Sequence, residues 1–433
     1  MVTVTIEQAA YIVIFLVLYY YCRYHYGTRG GFNVIMAEYE KIVNKLSGPK
    51  RQKNNLLYLM VLFIIFSCVN VNDRYGSDIM EPPVVEEESD ELAAAEETDE
   101  LTLDIAEPEE TVVMHYYEGK LLHIFFHPVV NRPEIAFNGS RKNLFLDWFV
   151  TADEFKKIMY EMYMQGYVLA DINEFYEVVY ENDNKKIIAK KLLVPEGKKP
   201  MILSIDDLNY YDYMRENGVV HKLVIDEKNE IAAWTDNEDG GELSYDQDII
   251  TILEDFLKQY PDFSLRGAKG IIALTGFEGV LGYRSQQEDN EELFEEEAEK
   301  AVVIVNKLKE MGWRFACHSF THWNLRSISF DDFMYDVDSW DVEVKPIIGE
   351  TDLYIYPFGA GVEYIERKHK VLRDRGYNLF FGVGGGYDYR IVNEYMFLER
   401  RNIDGTYFRA FRNRADRLFD MDKVIDGEWR GRR

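Results

Sequence analysis

Cysteine is scarce: the 433 residues hold three, Cys22, Cys68 and Cys317. Only Cys317 lies beyond residue 111, so no disulfide can form within the C-terminal part. That excludes a disulfide-stapled scaffold there, though not export. Positive charge is short as well, with 49 Lys and Arg against 77 Asp and Glu and a formal net charge of −28. An acidic chain repels phosphate backbones, so no nucleic acid is expected as partner. The absence of an internal repeat removes solenoids and propellers. Long apolar runs are confined to residues 9–21 and 56–69. What the chain does have is ample core-forming material, with 47% apolar residues and 31 Tyr and 26 Phe. Most of these rings are expected in the core.

The run 9–21 has no basic residue before it and is short for a membrane span. The run 56–69 follows Lys50, Arg51 and Lys53 and reaches a small residue at Ser67, the layout of a signal peptide. Within it, Ile65-Phe66-Ser67-Cys68 is similar to a lipobox, in which Cys68 would be lipidated and become the mature N-terminus. An uncleaved anchor, a hairpin of two short spans and a true start at Met36 stay open beside that reading. In each case the basic stretch 41–53 prefers the cytoplasmic side. The C-terminal part is therefore expected outside the membrane, membrane-anchored or lipid-anchored at a bacterial cell surface. Residues 81–111 hold fourteen acidic side chains and no Lys or Arg. With Pro82, Pro83 and Pro108, the stretch 70–111 reads as a disordered acidic linker. The organisation is thus a targeting region 1–69, a linker 70–111 and a folded domain 112–433.

From Val112 onward, short apolar runs alternate with amphipathic stretches. Strands are predicted at 121–126, 167–172, 201–205, 270–275, 313–317 and 353–356. Helices are predicted at 151–165 with Thr151 as N-cap, and at 246–260, 291–311 and 362–375. An inserted hairpin is expected over 219–234, turning at Asp226-Glu227-Lys228-Asn229. Alternating strands and helices imply α/β architecture, a parallel sheet or barrel with crossover helices.

Three polar clusters follow short apolar runs directly. Residues 201–205 run into Asp206-Asp207, 313–317 into His318-Ser319-Phe320-Thr321-His322, and 353–356 into Pro357-Phe358-Gly359. The run 121–126 ends the same way at His127-Pro128. In a parallel β/α architecture the C-terminal strand ends share one face, and that face builds the site. His318 and His322, four apart, present two imidazoles on one face if the segment turns helical. Asp207 supplies an anionic oxygen to complete a three-ligand metal site with open positions. Asp206 is then free to take a proton. The loop Gly276–Arg284 is rich in glycine but lacks the Lys and spacing of a phosphate-binding loop, so no nucleotide site is read there.

These residues resemble the motifs of the polysaccharide deacetylases with a nodulation-protein-B homology domain, carbohydrate esterase family 4. Ser204-Ile205-Asp206-Asp207 is similar to that family's Thr-Phe-Asp-Asp. His318-Ser319-Phe320-Thr321-His322 matches its His-Ser/Thr-x-x-His, and Tyr356-Pro357-Phe358-Gly359 resembles its Pro-Tyr-Gly turn. The resemblance covers roughly 200–385. It implies a distorted (β/α) barrel with an inserted hairpin region, zinc or another divalent metal on Asp207, His318 and His322, and Asp206 as base. The implied substrate is an N-acetylated glycan. Two departures stand out. The family's Arg two positions before the Pro is Ile355 here, and no His follows His369 to act as the usual acid. His369 sits in a basic helical run and is read as a surface residue. A permuted branch, the poly-N-acetylglucosamine deacetylases, takes its acid from an N-terminal strand, and His127 matches that arrangement better than His123. The Phe358 N–H is expected in an oxyanion hole, within the binding turn Tyr356, Pro357, Phe358 and Gly359. Tyr210, Tyr211 and Trp323 are candidates for stacking on sugar rings, with core packing as the other reading. The loop 276–284 is expected to shape a groove. The alternatives to a deacetylase are a catalytically weakened glycan-binding envelope module and a hydrolase of another amide on the same barrel.

Overall fold

Seven short, mostly buried strands build the domain. The computed structural model describes residues 112–431 apart from 183 and 287–290, and apart from the side chains of 291–293. The targeting region 1–69 with Cys68, and the linker 70–111, lie outside the described residues.

The strands are β1 (Leu122–Phe126), β2 (Lys199–Asp206), β3 (Ile271–Leu274), β4 (Arg314–Cys317), β5 (Leu353–Ile355), β6 (Leu379–Val383) and β7 (Tyr395–Asn402). Each pairs in parallel with the next, and β7 pairs with β1, so the sheet closes into a parallel barrel in chain order. Tyr167–Leu169 adds a parallel strand beside β2, and Tyr389–Val392 an antiparallel one beside β7.

Side-chain alternation divides each strand between two cores. Leu203 and Ile205, Ile272 and Leu274, Phe315 and Cys317, and Tyr354 and Tyr356 face outward into the large core under the helices. Ile202, Ile271, Ala273, Ala316, Leu353, Ile355, Leu379, Phe381, Met396 and Leu398 form a second, smaller core. Continuing that second alternation to the strand ends reaches Ser204 and Asp206 on β2, His318 after β4 and Arg400 on β7, all buried. The inner face thus changes from aliphatic to ionisable at the C-terminal ends.

The helices used below are α1 (Lys142–Trp148), α2 (Ala152–Met164), α3 (Ile249–Gln259), α4 (Glu291–Glu310), α5 (Phe330–Glu343), α6 (Glu366–Asp374) and α7 (Gly427–Arg430). Thr151 caps α2 as expected. Its hydroxyl accepts from the Glu154 N–H at 3.1 Å, and Glu154 accepts from the Thr151 N–H at 3.0 Å. Helix α3 starts at Ile249, three residues later than predicted, because buried Asp248 takes the cap position and accepts from the Ile250 N–H. The expected hairpin is present as Lys222–Ile225 against Ile231–Thr235, with Glu242–Ser244 as a third strand. A second hairpin, Tyr176–Glu181 with Asn184–Ala189, was not expected. His369, read as a surface residue, is 1% exposed: it lies on the inner face of α6 against Phe380 and Tyr395.

Candidate metal centre and active site

Asp207, His318 and His322 converge at the ends of β2 and β4, their ligand-type atoms all within 4.8 Å of one another. His322 Nε2 lies 3.5 Å from Asp207 Oδ2, and His318 Nε2 lies 3.9 Å from Asp207 Oδ1. The two histidines do not meet on a helix face. The segment 318–322 is a non-helical turn with positive φ at Ser319 and His322, 61° and 56°. The Ser319 hydroxyl accepts from the His322 N–H at 3.0 Å and closes the turn. Buried Asp336, on α5, accepts from the Phe320 and Thr321 N–H groups and from the Thr321 hydroxyl, at 2.6–3.1 Å.

Partners beyond the cluster fix which ring nitrogen is free. A carbonyl only accepts, so the contact of His318 Nδ1 with the Ile355 carbonyl at 2.8 Å puts the proton on Nδ1 and leaves Nε2 as the donor pair. Tyr211 donates its hydroxyl to Asp207 Oδ1 at 2.8 Å and meets Thr275 at 2.7 Å. Burial alone would push the Asp207 carboxyl up, but His322 and His318 hold it below its ordinary value. One carboxylate and two imidazoles, with the His318 Nε2 left free, fit a divalent transition metal and leave room for further ligands.

Asp206, next in the chain, is held differently. Arg400 grips it in a fork, Nη1 to Oδ1 at 2.6 Å and Nη2 to Oδ2 at 2.8 Å, with both side chains almost wholly buried. The same Nη1 donates to the Ser204 hydroxyl at 3.0 Å, which meets His123 Nε2 at 3.0 Å. The guanidinium lies 4.2 Å over the Phe125 ring. Burial pushes this carboxyl up, yet Arg400, then His318, more than offset it and hold the group well below the usual carboxylate range. The cation missing at Ile355 therefore arrives from β7. Sequence reading missed Arg400, although Met396, Leu398 and Arg400 alternate onto one face of one strand.

His127 stands half-buried at the end of β1, next to β2 in the barrel. Its Nδ1 donates to the Trp148 carbonyl at 3.0 Å, and its ring lies 5.6 Å from Phe149. Its charge, when present, acts on both Asp206 and Asp207. His123 is buried, and burial together with Arg400 disfavours its charged form.

The aromatic candidates divide. Tyr210 is buried and donates to Asp248 Oδ2 at 2.9 Å, and Tyr211 is buried on Asp207, so neither offers a ring face to a ligand. Tyr356 is also buried, stacked on Phe380 at 5.8 Å, and Pro357 is buried beside it. Gly359 turns the chain at φ 63°, where an added Cβ would lie 2.8 Å from Val383. Phe358 and Trp323 are exposed, and the Phe358 ring lies 4.8 Å from His322. The loop 276–284 reaches the same rim. Gly276 packs where a Cβ would meet the Phe320 ring at 2.0 Å, and exposed Phe277 lies 5.7 Å from Tyr211.

No family model and no curated protein matches the chain. Among solved structures, the chain is similar to the Streptococcus pyogenes deacetylase PplD in complex with acetate. The identity is 16% and the TM-score 0.37, over 66% of this chain and 94% of that one. It is also similar to a polysaccharide deacetylase from Bacillus cereus, at 13% identity and TM-score 0.36, over 67% of this chain and 68% of that one. With likeness this low, a functional reading rests on the site's own residues.

Proposed function

We propose that this chain is a metal-dependent hydrolase that removes N-acetyl groups from an amino-sugar polysaccharide of the cell envelope. The observation that carries the reading is the pairing of two unlike carboxylates at one strand end. Asp207 converges with two imidazoles, while Asp206 beside it is locked ionised by Arg400.

Asp207, His318 and His322 would hold zinc or another divalent ion, which when bound supplies Lewis acidity to water and to an amide carbonyl. Asp206 receives the proton of the attacking water. Arg400 and His318 favour the ionised carboxylate that a base needs, and Asp206 sits beside the residues that would hold the metal. His127, with Nδ1–H committed to Trp148, would carry a second proton on Nε2 as the imidazolium, give it to the departing amine and be left as the neutral Nδ1–H ring. The Phe358 N–H serves the acyl oxygen from the rim. Exposed Trp323 and Phe358 offer ring faces to a sugar. The order of the barrel supports His127 as acid, because its strand precedes and pairs with the Asp206 strand and so brings the two side chains to one rim. In this reading the chain is held at the membrane either by a lipid on Cys68 after cleavage or by an uncleaved segment within 1–69, and 70–111 space the domain from the membrane.

The test is acetate release from N-acetylglucosamine oligomers and peptidoglycan by the zinc-supplied full chain, beside Asp206→Asn and His127→Ala. Release that collapses in both variants is expected. Loss only in Asp206→Asn would remove His127 as acid. Stoichiometric metal without any release would favour a glycan-binding module.

A further inference from the structure

The last described helix reaches back toward the site from outside the barrel. The Arg430 side chain on α7 is 7% exposed, with its guanidinium 5.3 Å from the Phe137 ring and 5.0 Å from that of Phe408. Nε and Nη2 meet the Glu154 carboxylate at 2.7 and 2.9 Å. Glu154 is itself fully buried and forms half of the Thr151 capping box. The remaining donors go to backbone: Nη1 to the Leu146 carbonyl at 2.8 Å and Nη2 to the Phe149 carbonyl at 2.6 Å.

Those two carbonyls flank Trp148. The last carbonyls of a helix have no intrahelical partner, and at the end of α1 they are taken by Arg430 and by His127. A guanidinium presents a rigid fork and can hold a carboxylate and two carbonyls together, which a lysine ammonium cannot do in the same geometry. The Trp148 carbonyl in turn decides which nitrogen of His127 carries the proton.

The geometry points to Arg430 as a positioning residue for His127. By fixing the backbone on both sides of Trp148, it keeps that carbonyl aimed at Nδ1 and commits the neutral ring to the Nδ1–H tautomer, so that the proton to be delivered is the second one, taken up and released at Nε2, which has no described partner. A frayed α1 end would hand Nδ1 to water, where a neutral imidazole favours the Nε2–H form. The inference rests on the reading of His127 as the acid, yet the tautomer is readable without turnover.

The experiment is long-range 1H–15N NMR of the full chain labelled at histidine, at about pH 8.5 where an ordinary imidazole is neutral. His127→Gln identifies the signal. Wild type is expected to show His127 as Nδ1–H, and Arg430→Gln to move it to mainly Nε2–H. The same variant should lower kcat for acetate release about tenfold, with KM and zinc stoichiometry unchanged. Arg430→Lys keeps the charge opposite Glu154 and hence the fold, and should give an intermediate tautomer ratio. A wild-type His127 found as Nε2–H overturns the proposal, as does an Nδ1–H signal unchanged in both Arg430 variants. Should Arg430→Gln fail to fold, Arg430→Lys alone decides. Absence of glycan turnover in wild type would sink the deacetylase reading, and the tautomer result would still decide this one.

Discussion

The two sides of the Asp206-Asp207 pair are built from different materials. The side formed by the ends of β2, β4 and β5 surrounds Asp207 with groups that carry no permanent charge, two imidazoles and the Tyr211 hydroxyl, and orients His318 through its Nδ1–H bond to the Ile355 carbonyl. The side formed by β7 and β1 surrounds Asp206 with a permanent cation, Arg400, and its supports Ser204, His123 and Phe125. The carboxylate proposed to take up an ion is given partners it can exchange. The carboxylate proposed to accept a proton and give it up again is given a cation whose own charge does not titrate away.

The largest effect that tests this division is expected from His318→Ala. Removing a ligand on the neutral side should abolish zinc binding by calorimetry and acetate release with it, while a thermal melt of the apo chain changes little. Next is Arg400→Met, on the cationic side. Leaving Asp206 buried without its partner should cost about 3–5 kcal/mol in urea unfolding, and its carboxyl should rise toward the ordinary range. Activity should fall while zinc affinity stays within a few-fold of wild type. If zinc affinity falls as far as activity, the two sides are one unit and the comparison fails. Tyr211→Phe is gentler. It removes only the hydroxyl on Asp207, so zinc should bind about tenfold more weakly, with the pH–rate profile unmoved.

The smallest effect concerns a histidine that belongs to neither side. Burial, helped by Arg373 and Arg390, lowers the His369 pKa from 6.5 to about 4. The unfolded chain binds the proton more tightly, so His369 contributes stability at neutral pH that is lost as pH falls from 6.5 through about 4. His369→Phe should flatten that part of a melting-temperature against pH curve. An identical slope in the variant would assign the acid sensitivity elsewhere.

What the sequence allowed to be read follows the same division. β1 to β5 are short apolar runs ended by chemistry-bearing residues, and their order and shared rim are legible from that alone. β7 is not, because Glu399-Arg400-Arg401 looks like a solvated loop. Only the barrel shows that alternation turns Arg400 inward while its neighbours face elsewhere. Tyr210 and Tyr211 were offered for sugar stacking because they flank the motif, with core packing as the other reading, and core packing is what the barrel shows. Positive φ at Asp207 and Tyr210, 60° and 53°, turns the chain there and packs both rings inward. His369 was misjudged for a similar reason. A run dense in Arg and Lys fixes the average exposure of a helix, not which of its faces a given side chain occupies. The turn 318–322 kept its ligands but not its expected helix, since spacing constrains which atoms can meet and leaves the backbone path open.

Asp206 and Arg400 stand 194 positions apart, and that separation matters while the chain is being made. A ribosome delivers the first five barrel strands, with Asp207, His318 and His322, before the cation for Asp206 exists. Until the seventh strand arrives, enclosing that carboxylate would strand a charge in an apolar interior. Closing the barrel and neutralising its charge are therefore a single event late in synthesis. A nascent chain halted before Arg400 should stay open to protease, although every recognisable motif has already been translated.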